Sequence, residues 1–329
     1  DDMMKLGIGA SSIHGCKEPI FTSSETTAVS STDGFLYISD YKRITPRDAN
    51  YPDPQKHHGC VIRQEAVTSF ANYSALEKHS KELIDLGGDK ENLYHYNSKS
   101  SDDDNQEKAQ KLEQRRRQII EEASRPLFDI NALTSDSEKD SSLNSKSFPQ
   151  NVKDIAKFVV DCLIPKFIRE YVEQSSFIVD GKTIVHEMHS RGINSRYLGR
   201  ILNLIQNDKS TSDSIIKKYF CLSLEAEIIS RSFKYIKRSE NASIESLLND
   251  LNTLVGLAKN SESTFSELFD RVTKVASEKF GTKQLNKPNS SQRFLIIRSI
   301  LSSFGVSLYA WKDIESHPIG IEDVCEITP

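Results

Sequence analysis

Apolar residues recur at helical spacing through the second half of the chain. Ile155, Val159, Leu163, Phe167 and Tyr171 form the first such series. Steps of three and four residues bring side chains to one helix face, which needs a packing partner. Further series of this kind predict helices over 183–190, 195–206, 212–238, 244–258, 264–280 and 294–304. We therefore expect the region from 149 to 329 to be an all-helical domain.

Three details refine these predicted helices. Pro165 lacks a backbone donor and crowds the preceding turn, so it should kink or break the first helix. Thr264 and Glu267 have the spacing of a capping box, which predicts that a helix starts at Thr264. The helix over 294–304 is apolar nearly all round, so we expect it to be the central, buried one. Residues 306–311 read as extended backbone.

The first half of the chain has a more mixed pattern. The Asp-Gly pair at 33–34 is a turn signal, and an aromatic and β-branched run follows at 35–38, which predicts a hairpin. Residues 61–86 have helical spacing and end at a Gly-Gly pair. Residues 1–97 should thus form a small mixed α/β portion. The predicted fold class is α+β, mainly α.

A polar stretch separates these two parts. Residues 98–105 and 135–147 are rich in Ser, Asp and Lys, with too few apolar residues to become ordered by themselves. Between them, good helix formers predict a helix at about 106–124, anchored by Leu112, Ile119 and Ile120. The expected division is 1–97, a polar linker over 98–148, and a helical domain over 149–329.

Residues 191–204 predict a sharp corner between two helices. A glycine at 192 is a natural helix stop, and the side chain of Asn194 can cap the helix that follows. Apolar residues from 197 to 205 then form one stripe, while arginines at 196 and 200 stand one turn apart on another face. The residues that shape this corner are Gly192, Asn194, Tyr197, Leu198 and Gly199.

Composition is that of a folded and strongly solvated protein. A length of 329 residues favours two units, and 37% hydrophobic residues can build real cores. The 27% of charged residues and the mean hydropathy of -0.50 indicate a large polar surface. No apolar run could cross a bilayer, and the first residues lack a signal-peptide layout. We expect a soluble, cytoplasmic protein without membrane insertion.

The cysteines support a reducing compartment. There are five, an odd number, and they lie far apart in the sequence. This is not the pattern of a disulfide framework. We expect ordinary buried thiols.

The formal net charge of -4 conceals an asymmetry. Residues 1–148 contain 19 Lys and Arg against 25 Asp and Glu, a net charge of -6. Residues 149–312 contain 24 against 17, a net charge of +7, and an acidic tail follows. An anionic partner should therefore contact the second half of the chain.

Several stretches resemble the clustered-mitochondria family. Residues 35–40 (Phe-Leu-Tyr-Ile-Ser-Asp), 43–51 (Arg-Ile-Thr-Pro-Arg-Asp-Ala-Asn-Tyr) and 61–67 (Val-Ile-Arg-Gln-Glu-Ala-Val) are similar to the end of its CLU domain. The helical central domain of the same family is similar to residues 128–131, 162–165, 179–181 and 191–199. The last of these, Arg-Gly-Ile-Asn-Ser-Arg-Tyr-Leu-Gly, is long and specific. That central domain is also attributed to a large protein associated with eukaryotic initiation factor three.

The resemblance extends over most of the chain but not over the whole family architecture. The family's earlier N-terminal region and its C-terminal tetratricopeptide repeats have no match here, so we expect an internal fragment. Residues 98–105 and 135–147 match nothing in the family.

The resemblance implies a cytosolic protein that binds messenger RNAs for mitochondrial proteins, associates with ribosomes or initiation factors, and is required for normal mitochondrial distribution. Its expected partners are mRNA, a ribosome or initiation-factor complex, and the remaining domains of the full-length protein. It implies no catalytic residues and no cofactor, and it assigns RNA contacts to no position. The alternative is a protein interaction module that receives a partner helix in its apolar grooves without touching RNA.

RNA contacts must therefore be inferred from chemistry. Guanidinium groups at the corner suit phosphates and base edges, although they could instead pin helix-end carbonyls. Residues 231–238 interleave Phe233 and Tyr235 with four cations, a mixture that suits single-stranded RNA. Phe233 shares an inward helix face with Ile229, which favours a core position for it. The candidate contacts are Arg191, Arg196, Arg200, Lys217, Lys218, Arg231, Lys234, Lys237 and Arg238.

The sequence contains only weak signals for DNA binding and for metal binding. A helix, glycine turn and helix also outline a DNA-binding helix-turn-helix, but the corner alone is a weak signal. His57, His58 and Cys60 lack a second ligand pair, and His186 with His189 lacks metalloprotease spacing, so no metal is expected.

One charged set could resemble a catalytic site, but an ion-pair network that braces an irregular loop explains it equally well. The sequence has neither an activated nucleophile nor a phosphate-cradling glycine loop, and we expect no enzyme. The set consists of Asp40, Arg43, Arg47, Asp48, Arg63 and Glu65.

Overall fold

Helices dominate the described part of the chain, as the hydrophobic pattern predicts. The computed structural model describes residues 27–30, 32, 36–39, 45–51, 60–88, 103–123, 149–173, 181–208, 215–257, 262–308, 318–320 and 323–327. Its helices are α1 (Gln64–Lys78), α2 (Ser80–Asp85), α3 (Asp103–Glu121), α4 (Gln150–Phe158), α5 (Ile164–Glu173), α6 (Gly181–Ser190), α7 (Leu198–Asn207), α8 (Ile215–Ser239), α9 (Ile244–Leu254), α10 (Glu262–Phe280) and α11 (Ser290–Ser303). Its strands are β1 (Thr27–Ser30), β2 (Leu36–Ser39), β3 (Val306–Leu308) and β4 (Val324–Ile327).

Tertiary contacts divide the described residues into two compact units. One contains the described residues up to Leu163, and the other those from Ile164 onward. The sequence placed its division at residue 149, so helix α4 lies on the first side of the structural boundary.

In the first unit, β1 and β2 form an antiparallel pair with Thr27 opposite Ser39 and Ser30 opposite Leu36. The predicted hairpin is confirmed. The other β structure described in this unit is a single bridge between Arg47 and Val61. The described part is therefore mainly helical, and the expected mixed α/β portion is not clearly shown by it.

The single helix predicted over 61–86 is two helices. Residues 60–62 are extended and pair with the preceding loop, since Asp48 N donates to Cys60 O at 3.1 Å and Ile62 N donates to Pro46 O at 3.0 Å. Helix α1 therefore begins later than predicted, and a break at His79 separates it from α2. The Gly-Gly stop is confirmed, with a φ of 95° at Gly87.

Helix α3 packs against α1 and α2. Leu76, Leu83 and Ile119 form a buried cluster, and Leu112 and Ile120 pack against it. The three predicted anchors of α3 are thus confirmed. The two polar stretches on either side of this helix lie largely outside the described residues.

A π-helical turn, Val159–Leu163, directly precedes α5. Pro165 cannot donate to the carbonyl of Asp161, so the regular helical ladder is interrupted there. The predicted irregularity before Pro165 is confirmed and takes the form of this wider turn.

In the second unit, α8 is the central helix, and this corrects our expectation for the last helix. Helix α8 packs against α5, α6, α7, α10 and α11. Helix α11 leaves Arg298 and Ser302 exposed on one side, so it is buried on one face only. Gly305, with a φ of 68°, ends α11, and the predicted extended segment forms β3, which pairs antiparallel with β4.

The predicted start of α10 is also wrong. The helix begins at Glu262, so Thr264 lies inside its first turn. A capping box is instead found at α11, where Asn289 Oδ1 accepts from Gln292 N and Gln292 Oε1 accepts from Asn289 N, each at 3.1 Å.

A buried carboxylate, that of Glu225, joins α8 to its neighbours. Its oxygens accept hydrogen bonds from the side-chain amides of Gln206 at 3.3 Å, Asn286 at 2.8 Å and Gln292 at 2.9 Å. Burial raises the pKa of Glu225, while the hydrogen bonds from Gln292 and Asn286 oppose this shift. The carboxylate is thus held by neutral donors in a place where its charge is unfavourable.

This raised pKa predicts a pH-dependent contribution to stability. A carboxyl whose pKa is raised by folding stabilises the fold at low pH, and loses that contribution as pH rises from its ordinary value of 4.5 through the raised value. We expect the wild-type chain to lose stability relative to Glu225→Gln between pH 4.5 and neutrality. Urea unfolding of both proteins across this range checks it. The exposed Glu245→Gln serves as control, and parallel pH profiles for wild type and Glu225→Gln would contradict the prediction.

Candidate functional site

The predicted corner between α6 and α7 is present, and Gly192 and Asn194 shape its backbone. Gly192 has a φ of 82°, which favours glycine, and Ile193 N donates to Met188 O at 2.8 Å to close the end of α6. Asn194 Oδ1 accepts from Arg196 N at 3.0 Å, at the start of a 3₁₀ turn, Ser195–Tyr197. Tyr197 and Leu198 are fully buried.

Helix α7 docks closely on the turn that follows α10. A Cβ atom on Gly199 would overlap Phe280 O and would lie 2.5 Å from Thr282 Oγ1 and 2.8 Å from Thr282 N. Asn203 Nδ2 donates to Gly281 O at 3.0 Å, and its Oδ1 accepts from Lys283 N at 3.3 Å. Only glycine at 199 permits this close backbone approach.

Arg191 is occupied within the protein. Its Nε donates to Glu170 Oε2 at 3.0 Å, and its Nη1 pairs with the carboxylate of Glu187. Its guanidinium also lies 5.8 Å from the ring centroid of Phe167 and 5.5 Å from that of Tyr171. The hydrogen bond from Arg191 lowers the pKa of Glu187. Arg191 thus joins α6 to α5, and its Nη1 also donates to the backbone carbonyl of Glu187 at 3.1 Å, which is the kind of helix-end contact raised as the alternative to ligand binding.

The other two corner arginines differ from each other. The guanidinium of Arg196 lies 5.7 Å from the ring centroid of Phe280, against the same turn that α7 contacts. Arg200 is exposed and makes no ion pair with any residue that the structure describes. Arg200 is therefore the corner cation that solvent reaches most directly.

Two lysines proposed as RNA contacts are buried. Lys217 Nζ donates a hydrogen bond to the backbone carbonyl of Asp208 and lies 3.7 Å from Asp208 Oδ2. Lys237 is 3% exposed, and its ammonium pairs with Glu240 at 2.8 Å and with the carboxylate of Asp250. Neither charge is directed to solvent. Lys218, in contrast, is exposed.

The C-terminal half of α8 presents one exposed stripe, formed by Arg231, Lys234, Tyr235 and Arg238, which we term the outer face. Helical spacing places these four side chains within about one third of the helix circumference. Arg238 is exposed, Tyr235 is 49% exposed and Lys234 is half-buried. Phe233 is fully buried, as its predicted inward position required.

The outer face is bordered by residues from neighbouring elements. Arg231 Nε donates to Glu227 Oε1 at 2.6 Å, and its Nη1 lies 3.5 Å from Ser195 Oγ. Glu227 itself is buried and also accepts from Ser299 Oγ at 3.2 Å. This carboxylate therefore offsets the charge of Arg231, and its negative charge also opposes the lowering of the pKa of Lys234 by burial.

Lys182 of α6 belongs to the same cationic surface, although the sequence did not single it out. Burial lowers the pKa of Lys234, and the positive charges of Arg238, Arg231 and Lys182 lower it further. Lys182 Nζ also donates to Ser302 Oγ of α11. No sequence motif marks Lys182, because only the packing of α6 against α8 brings it there.

The charged loop proposed from the sequence is ordered around buried groups. Arg47 and Asp48 are buried, and Asp48 Oδ1 accepts from Asn50 N at 2.9 Å. Arg63 Nη2 pairs with Glu65 Oε1 at 3.3 Å. Asp40 and Arg43 lie outside the described residues. The backbone of Asp48 joins the loop to the segment before α1, since Asp48 N donates to Cys60 O at 3.1 Å.

Metal-ligating groups and candidate membrane spans can be sought only in the part of the chain that the structure describes. There, no group of three or more His, Cys, Asp and Glu side chains could hold a metal ion. His57 and His58 lie outside it. Cys60 is a buried thiol, and Cys162 and Cys221 are half-buried thiols. None of the described helices is both long and apolar enough for a membrane span.

Comparison with known proteins identifies relatives of this chain. Residues 175–292 match the family model described as Translation initiation factor eIF3 subunit 135. The Clustered mitochondria protein of Arabidopsis thaliana is 30% identical over 264 residues, which cover 73% of this chain and 18% of the relative. The Clustered mitochondria protein homolog of Dictyostelium discoideum is 24% identical over 339 residues, covering 94% of this chain and 25% of the relative.

A differently named relative is also similar. Protein REDUCED CHLOROPLAST COVERAGE 2 of Arabidopsis thaliana is 24% identical over 280 residues, covering 81% of this chain and 15% of the relative. The chain thus spans a quarter or less of the length of these relatives. No solved structure matches it significantly.

The close contact at Gly199 predicts a large effect of a small substitution. Gly199→Ala places a methyl group against backbone atoms of the turn after α10, which cannot move without disturbing Asn203. We expect the free energy of unfolding to fall by about 2–3 kcal/mol, as for other overpacked sites. Arg200→Ala on the same helix should change it by less than about 0.5 kcal/mol, since Arg200 is exposed. Denaturant unfolding measures both, and equal stabilities would refute the close docking of α7.

Proposed function

Because the chain belongs to the clustered-mitochondria family, with the initiation-factor-associated region in its second half, we propose that it is part of a non-enzymatic, cytoplasmic, mRNA-binding scaffold. The scaffold serves translation and the distribution of mitochondria, and supports the expression of nuclear-encoded mitochondrial proteins. Its partners are mRNA, a ribosome or initiation-factor complex, and the rest of its own full-length protein. The relatives' names support the mitochondrial part of this proposal, and the family model supports the link to translation.

The observation that carries RNA binding is the outer face of α8. Lys234 and Arg238 lie one turn apart with Arg231 and Lys182 beside them, and the nearby carboxylate of Glu227 is buried. Lysine and arginine side chains that lack close carboxylate partners bind phosphates and release the counterions condensed on nucleic acid. Arg200 and Lys218 are further exposed candidates in the same unit.

Three of the candidate cations are less suited to contact RNA. Arg191 is shared between two carboxylates and two aromatic rings, and Lys217 and Lys237 are buried with their own partners. Contact with RNA by these three would require the fold to release them. The proposed interface therefore centres on Lys234 and Arg238. Arg231, which pairs with Glu227 at 2.6 Å, lies beside them, and Arg200 and Lys218 are secondary candidates outside it.

A protein interaction module remains the second candidate, and the match of residues 175–292 to an initiation-factor subunit model favours it specifically. Under this alternative, the helical unit binds a ribosomal or initiation-factor subunit without touching RNA. Affinity capture with the 329-residue chain before and after ribonuclease treatment separates the two. Retention of initiation-factor subunits after treatment supports the alternative, and their loss supports attachment through RNA.

Neutralising two cations of the outer face should weaken RNA binding. We expect Lys234→Gln with Arg238→Gln to reduce the affinity of the 329-residue chain for single-stranded RNA, and to lower the slope of log K against log salt by about one for each phosphate contact removed. Filter binding at several salt concentrations measures both quantities.

The matched control is Lys153→Gln with Lys157→Gln on α4. These lysines are also exposed and one turn apart, and their replacement changes the net charge by the same amount. Equal losses in both double variants would show that only net charge matters. Absence of RNA binding by the wild-type chain at low salt would contradict the proposed function.

A further inference from the structure

Tyr235 belongs to the outer face but has no role in the binding of phosphates. It is an aromatic side chain, 49% exposed, in the middle of a cationic stripe. Helical spacing places it between Arg231 and Arg238, which lie four residues before it and three residues after it. A large aromatic ring left half in solvent between charged neighbours has surface to offer a ligand.

The ring of Tyr235 is held from one side. Lys279 of α10 is buried, and its ammonium lies 4.7 Å from the Tyr235 ring centroid. A cation over one face of an aromatic ring is attracted to it and restricts its rotation. The ring is thus supported on the face towards α10, while about half of the side chain stays accessible.

Cations also lie on the side of the ring towards Lys234. Lys234 stands about 100° from Tyr235 around α8, and α6, which carries Lys182, packs against α8. Lys182 is held in place by its hydrogen bond to Ser302. The surface therefore combines a supported aromatic ring with a row of cations that extends from α6 across α8.

These two features select one form of nucleic acid. A row of cations attracts the phosphates of single-stranded and double-stranded RNA alike. An exposed aromatic ring adds affinity only for bases whose faces are open, and a duplex covers both faces of its bases by stacking. The ring therefore favours the single strand.

We propose that the outer face of α8 is a two-part site for single-stranded RNA. Tyr235 stacks on an unpaired base, and Lys182, Lys234 and Arg238 bind the adjoining backbone phosphates. This proposal rests on the RNA-binding function proposed above and adds strand preference, the base-stacking residue and Lys182. The stacked base can be of any identity, because every base has a π face.

The test compares a single-stranded RNA of mixed sequence with the duplex formed by it and its complement. Fluorescence anisotropy measures the affinity of the 329-residue chain for both. We expect Tyr235→Leu to weaken binding of the single strand by about tenfold or more, the usual range for loss of one stacked base, and to leave duplex binding unchanged. Tyr235→Phe keeps the ring and should retain the wild-type affinity.

Two further variants separate the parts of the site. Lys182→Gln should weaken binding of single strand and duplex to a similar extent, because it removes a phosphate contact. Tyr219→Leu is the matched aromatic control, since Tyr219 is 39% exposed on the same helix but lies outside the outer face. It should change neither affinity.

The outcomes distinguish this proposal from the function on which it rests. If the wild-type chain binds neither RNA, the proposed function fails. If it binds both RNAs, but Tyr235→Leu changes neither affinity or lowers both equally, then RNA binding stands and the two-part site is overturned. Wild-type affinity for the single strand in Lys182→Gln would remove Lys182 from the site.

Discussion

Helix α8 must supply packing surface on several sides at once, and this constraint sorts the charged residues along it. Most of its buried positions are apolar, and the charged groups buried there have partners within the protein. Glu225 meets three amide donors, and Lys237 meets two carboxylates. An isolated charge in these places would cost several kcal/mol, so each must find a partner. The outer face is a stripe of α8 that lies outside these packing contacts.

The corner between α6 and α7 follows from a second constraint, the close approach of two backbones. Gly199 allows α7 to contact the turn after α10, and Asn203 fixes that turn through both of its amide atoms. Arg191 then joins the corner to α5. Residues 191–199, the stretch most specific to the family, are thus explained by packing geometry. Similarity in this string indicates a shared fold, and ligand contacts have to be sought on other surfaces.

Most of the helical segments could be predicted from the sequence because periodicity is a local property, and the stop signals at Gly87 and Gly192 are local as well. The break at His79 and the π-helical turn before Pro165 were not resolved in this way, because periodicity continues through them. The central position of α8 could not be predicted either, since the composition of a helix does not show how many neighbours surround it. The burial of Lys237 could not be predicted for a similar reason, because its partner Asp250 lies on another helix. Lys182 joined the site only through tertiary packing.

The different environments of Lys234 and Lys237 show why net charge alone does not locate a surface that binds anions. Both belong to one basic stretch and lie three residues apart, yet one borders other cations and the other is enclosed by carboxylates. Arg191 and Lys217 are likewise compensated inside the fold. Ion pairs of this kind cancel in the net charge of +7 over residues 149–312, so the excess must come from other cations. An anion is attracted where positive charge is in local excess and no carboxylate is near. The position of each cation on the folded surface decides where that excess lies.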